Sequence, residues 1–201
     1  MESTKEEIIL EAAKKVFVKY GYQKTSMEDI AKEAMIGKGS IYYYFNTKED
    51  IFINIMENIT KEVITELETK ISQAKTFREK FEVFLTEPFG TFISHSMLFV
   101  EVMNEASPVF FSKIKDFRAE TQEQLKKIMG RIIQEGEEKG LIKEKFANSI
   151  DKIVDLLFKW IMISGEYVKI NLTEQTVNEI KGDYILLADL FLTGLTSMEE
   201  L

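Results

Sequence analysis

The 201 residues are 45% hydrophobic, with 15 Phe and 9 Met, and carry a net charge of −8, so there is ample apolar material for a buried core. The lack of cysteine excludes disulfides and thiolate metal sites and fits a reducing cytoplasm. MESTKEEIIL has no basic-then-apolar leader pattern, and the longest uncharged run, Pro88–Val100, is too short to span a bilayer as a helix; a soluble cytoplasmic protein without membrane association is expected.

Ile8, Ile9, Ala12, Ala13, Val16, Phe17 and Tyr20 recur at helical spacing and predict a helix over about 4–20, stopped by Gly21. Thr25 or Ser26 caps the next helix, with Glu28 or Asp29 as the capping-box partner and Met27, Ile30, Ala31 and Ala34 on its inner face. Ile41 and Phe45 anchor a second short helix at i, i+4. Thr47 with Asp50 opens a long helix through Ile51, Ile55, Ile59, Val63 and Leu67. An aromatic stripe from Phe77 to Phe92 marks the next helix, with a kink expected at Pro88. A short helix is expected around Met97–Asn104. Ser107-Pro108 then starts a long one that ends at Lys139-Gly140, and two more cover about 147–170 and 174–197. No strand alternation or internal repeat interrupts this pattern. The fold class is all-α: an N-terminal three-helix helix-turn-helix domain, 1–47, followed by a larger helical bundle, 48–201, for ligand binding and dimerisation.

Residues 25–50 carry the functional signal. A capped short helix, a tight turn and a second short helix with Lys, Ser and three tyrosines have the spacing of a helix-turn-helix, whose second helix lies in a DNA major groove. The overall acidity does not oppose this. Residues 1–48 hold eight Lys against seven acids, and the remaining chain carries −9. From Gly37 to Lys48 the only charges are two lysines. Phosphate is felt over a Debye length of roughly 8 Å, so local charge decides.

The segment Ile8–Phe52 closely resembles the DNA-binding head of the TetR family. The matching residues are Ala12-Ala13 with Phe17, Gly21-Tyr22, Thr25, Ile30-Ala31, Ala34, Lys38-Gly39-Ser40-Ile41-Tyr42-Tyr43-Tyr44-Phe45 and Lys48-Glu49. The resemblance implies an all-α homodimer that represses transcription from a palindromic operator and leaves it when a small effector binds the C-terminal domain. It implies phosphate contacts at Thr25 or Ser26, Tyr42 and Lys48. It places Lys38, Gly39, Ser40 and Tyr43 at or near the bases, and Tyr44 toward the backbone or the domain core. The family's turn, usually A-G-V-S, reads Ala34-Met35-Ile36-Gly37 here, so Met35 is expected to take an unusual backbone angle and Gly37 to serve as N-cap.

In the larger part, Phe92, His95, Phe99, Met103, Phe117 and Trp160 are the candidate lining of a cavity for an apolar or aromatic effector. His95 is the sole histidine and the Glu-x-x-His pattern is missing, so no metal, no cofactor and no catalytic residue are expected. Tyr184–Leu195 is apolar nearly all round and must be covered on two sides, which predicts a homodimer through the last two helices, with a fully central core helix as the alternative. Effector binding is then expected to shift the helix starting at Lys48 and spread two heads set ~34 Å apart, one turn of DNA. Two rivals stand beside this reading. One is a helical ligand-binding or scaffolding protein without DNA binding; the other is a helical-bundle metalloenzyme.

Overall fold

The computed structural model describes residues 4–94, 108–159 and 174–196. They form α1 (Lys5–Tyr20), α2 (Met27–Glu33), α3 (Lys38–Tyr44), α4 (Lys48–Gln73), α5 (Phe77–Ser94), α6 (Pro108–Glu138), α7 (Glu144–Ala147), α8 (150–159) and α9 (Glu174–Leu195). Among the described residues there is no strand; Ile142 and Thr196 form an isolated antiparallel bridge. None of these helices is long and apolar enough to cross a membrane. The all-α expectation is met, and the helix that includes Pro88 is α5. The helix expected around Met97–Asn104 lies outside the described residues.

Side-chain caps explain the helix starts. Thr4 and Glu7 close a capping box on α1, as do Ser26 and Asp29 on α2. The Thr76 hydroxyl accepts from the Glu79 N–H at 3.1 Å, while the Glu79 carboxylate accepts from the Lys75 and Thr76 N–H groups at 2.6 and 3.2 Å. The α6 stop follows from Gly140, which takes φ 69° while the Leu141 N–H donates back to the Gly136 carbonyl at 2.9 Å. At the far end of α9, the Lys143 ammonium donates to the Thr193 and Gly194 carbonyls at 3.1 and 3.0 Å, meeting the negative end of the helix.

The contacts divide the chain into two compact units, the first reaching Lys61 and including the start of α6 to Ala119, the second holding Glu62–Ser94 and the chain from Glu120. The first unit is built on Ile9, Phe17, Tyr22, Ile30, Ile41, Ile51, Phe52, Ile55 and Phe110, all buried. Its aromatics interlock. Tyr22 lies 5.2 Å from Phe17 and 5.9 Å from Phe52, and stacks on Phe110 at 5.9 Å and 8°. Lys113 adds an ion pair to Asp50 at 2.7 Å. The core of the second unit draws Phe81 and Phe84 from α5, Met129 and Ile133 from α6, Leu157 and Phe158 from α8, and Tyr184, Ala188 and Leu192 from α9.

Two glycines of α6 meet opposite surroundings. A Cβ on Gly136 would lie 2.6 Å from Cε2 of Phe77, whereas one on Gly130 meets nothing within 4 Å. Helix propensity favours alanine over glycine by about 1 kcal/mol at either place; overpacking costs about 1–3 kcal/mol. Gly130→Ala is therefore expected to raise the unfolding midpoint and Gly136→Ala to lower it, as denaturant titration of both variants will show.

Candidate nucleic-acid interface

The second short helix is set by what it buries. Ile41 is fully buried and Phe45 nearly so, and they bind α3 to Ile30 and Ala31 of α2 within the same core. That leaves Lys38, Gly39, Ser40, Tyr42 and Tyr43 on the open side. Tyr43 is 84% exposed and Tyr42 48%, a costly display of aromatic surface unless something covers it. Tyr44 is half-buried and meets the Tyr43 ring edge-on at 5.1 Å. Gly37 is the N-cap, in extended conformation, and gives the helix no side-chain bond. Gly39 has open space where a Cβ would stand, so the fold itself has no need of a glycine there.

Thr25 and Lys48 are placed otherwise than a phosphate contact requires. Thr25 is 2% exposed, and its hydroxyl donates to the Gly21 carbonyl at 2.7 Å. The Lys48 ammonium donates to the carbonyls of Tyr22, Gln23 and Thr25 at 2.8, 3.2 and 3.1 Å, and lies 4.4 Å from the centre of the Tyr22 ring. Three carbonyls match the three donors of an ammonium. They also account for a cation at the start of a helix, where the dipole disfavours one. Both residues thus fix the connection between α1 and α2 from within.

Ser26 is exposed and caps α2: its hydroxyl accepts from the Asp29 N–H at 3.2 Å and donates to the Asp29 carboxylate at 2.6 Å. Those bonds hold the Asp29 carboxyl below its usual pKa. With Asp29 as the capping acid, Glu28 is released for another partner. It takes Lys38, whose ammonium donates to the Glu28 carboxylate at 2.8 Å across ten residues. The carboxylate raises the Lys38 pKa. The sequence held Thr25 with Glu28 and Ser26 with Asp29 as equal capping pairs, and only their packing in space separates them.

The turn between α2 and α3 keeps its form without its usual glycine. Met35 takes φ 54°, while the Met35 N–H donates to Lys32 at 3.1 Å and the Ile36 N–H to Ala31 at 3.0 Å. This is the backbone pattern that normally recruits glycine at its left-handed position. Met35 is 93% exposed, so no packing offsets the strain.

Of the candidate effector residues, His95, Phe99, Met103 and Trp160 lie outside the described residues. Phe92 belongs to α5, and Phe117 is half-buried on α6 in the first unit. Among the described residues no group of three or more histidine or carboxylate side chains gathers as a metal site. On α9, Tyr184, Ala188 and Leu192 are buried, while Ile185, Leu186 and Leu190 are 52%, 59% and 64% exposed.

A family model described as bacterial regulatory proteins, tetR family, matches residues 9–55. The HTH-type transcriptional regulator YhgD of Bacillus subtilis is 37% identical over 79 residues, which is 39% of this chain and 41% of the relative, so that match spans about two-fifths of its length. The fatty acid metabolism regulator protein of the same organism is 28% identical over 192 residues, covering 94% of this chain and 92% of the relative. Among solved structures, a transcriptional regulator from Cytophaga hutchinsonii shares the fold with a TM-score of 0.70 at 23% identity, over 97% of this chain and all of that one (100%).

A left-handed residue other than glycine costs about 1–2 kcal/mol. Met35→Gly is expected to stabilise the protein by about 1 kcal/mol in urea unfolding, allowing for the added freedom of the unfolded glycine. A lower midpoint would show that the turn carries no strain.

Proposed function

We infer that this chain, a TetR-family regulator by its residues 9–55, is a ligand-responsive repressor whose two α3 helices enter successive major grooves of a palindromic operator. The observation that carries this is the open face of α3. Lys38, Gly39, Ser40, Tyr42 and Tyr43 are exposed together on a helix whose other side is locked by Ile41 and Phe45. Tyr42 and the Ser26 region meet phosphates; Lys38, Ser40 and Tyr43 meet base edges. Gly39 lets the duplex backbone come close. Thr25 and Lys48 act indirectly, by fixing the chain from which α2 departs.

Two copies join through the last helices. The apolar residues Leu186 and Leu190, four positions apart, form an exposed stripe on α9 with Ile185 at its edge, and a two-fold axis places such a stripe against itself. The effector is a small apolar molecule held within residues 48–201. Likeness to a fatty acid metabolism regulator over 92% of that protein's length favours an acyl compound. Inverting a hundredfold preference for the DNA-bound form takes about 5.5 kcal/mol of differential effector binding. The family is one of regulators, and the protein is read as a non-enzyme acting in the cytoplasm.

Selection from a pool of random duplexes tests the reading, and a palindromic consensus is expected. Two variants then separate its parts. Gly39→Ala should keep or slightly raise stability yet weaken binding to the selected duplex at least tenfold, while Leu190→Glu should leave a folded monomer by light scattering that binds neither half-site tightly. If Gly39→Ala bound like the wild type, α3 would not be the element pressed against DNA. Long-chain fatty acids or their coenzyme A esters, added to the bound complex, are expected to release the duplex; retention with every chain length would remove the acyl assignment.

A further inference from the structure

The pair between Glu28 and Lys38 sits on the proposed reading surface, and this inference rests on that reading. A carboxylate is an unexpected neighbour there. It repels phosphate, and it occupies the one lysine that α3 contributes. Both side chains are nearly two-thirds exposed, 63% for Lys38 and 64% for Glu28, so no burial requires the pair. Capping does not require it either, because Ser26 and Asp29 complete the α2 cap between themselves. Lys48, the other lysine of the segment from Gly37, is already held by three carbonyls. The α3 face therefore offers phosphate no unpaired lysine. It presents instead an ammonium and a carboxylate side by side, 2.8 Å apart.

We propose that Glu28 is a specificity-determining residue, and that Glu28 and Lys38 together recognise one G·C pair in the major groove. The edge of that pair displays guanine N7 and O6 as acceptors and the cytosine N4 amino group as donor. The ammonium has three donors, one of which goes to Glu28, leaving two for guanine. The Glu28 carboxylate keeps lone pairs for the cytosine amino hydrogen. No other base pair presents acceptors and a donor in that order. Away from such a pair, the same carboxylate holds Lys38 from the phosphates and suppresses sequence-blind binding. Affinity for arbitrary DNA is thereby lowered where α3 makes its closest approach, and discrimination gains.

Full-length wild type, Glu28→Ala, Glu28→Gln and Lys38→Ala are each taken through duplex selection, and their binding to poly(dA-dT) is measured against salt. The wild type is expected to select a G·C pair at one position of each half-site. Glu28→Ala and Lys38→Ala should lose that preference by about tenfold, the scale of one good base contact. On poly(dA-dT), freeing one lysine per protomer should steepen the salt dependence of both Glu28 variants by about two counterions per dimer and strengthen binding at low salt. Glu28→Gln keeps the shape of the side chain and loses only its charge, so it separates electrostatics from packing. If both Glu28 variants retain the wild-type base choice and salt slope, the proposal is overturned while DNA reading by α3 stands. If the wild type itself selects no sequence, both fall together.

Discussion

The first unit depends on one ammonium. Lys48 opens α4 and grips the carbonyls of Tyr22, Gln23 and Thr25, a reach of more than twenty residues back along the chain. The gripped segment leads directly into Ser26, the cap of α2, and α2 and α3 in turn bury Ile30, Ala31 and Ile41. Tyr22 lies under the same ammonium, between Phe17 and Phe52 and stacked on Phe110. Burial, and then the nearby Glu49 carboxylate, push the Tyr22 pKa far above its ordinary value, which favours the neutral ring. A neutral aromatic wall beside a half-buried cation lets hydrogen bonds carry the placement of α2 and α3 without a competing charge.

Much of this architecture was legible in the chain itself. Periodicity located the long helices, and local capping patterns located their starts, because both signals live within one or two turns. Thr47 before Asp50, Gly140 after α6 and the left-handed Met35 were each expected and each found. What the chain concealed were choices between equivalent partners and contacts across long separations. Thr25 and Ser26 are neighbours with the same chemistry and an acid three residues on; the packing of Tyr22 and Gly21 decides that Thr25 turns inward. Lys48 signalled that it needed acceptors, being a cation at the wrong end of a dipole, and carbonyls and phosphates satisfy that need alike. The pair between Lys38 and Glu28 had no local signature at all.

Charge is distributed in the same spirit. The first 48 residues are nearly balanced while the remainder holds −9. A protein that met DNA by bulk attraction would be built the other way round. In the proposed complex α3 contributes hydroxyls, aromatic rings and a paired lysine, so contact geometry outweighs the general pull of phosphate. The exposed Leu186 and Leu190 on α9 show a comparable economy, since both lie on the side opposite the buried Tyr184, Ala188 and Leu192, with Ile185 at the border. One helix serves an interior and a surface with the same kinds of residue.

The close passage of Gly136 against Phe77 bears on how α6 is held within the second unit. The ring fills the gap left by the missing side chain so fully that a single added carbon would overlap it. Such a seat leaves little room for α6 to slide while the ring stays lodged in its notch. Axial travel of α6 past α5 would require the ring to leave its notch. A helix notched in this way is held in register along its own axis by one ring seated against one glycine.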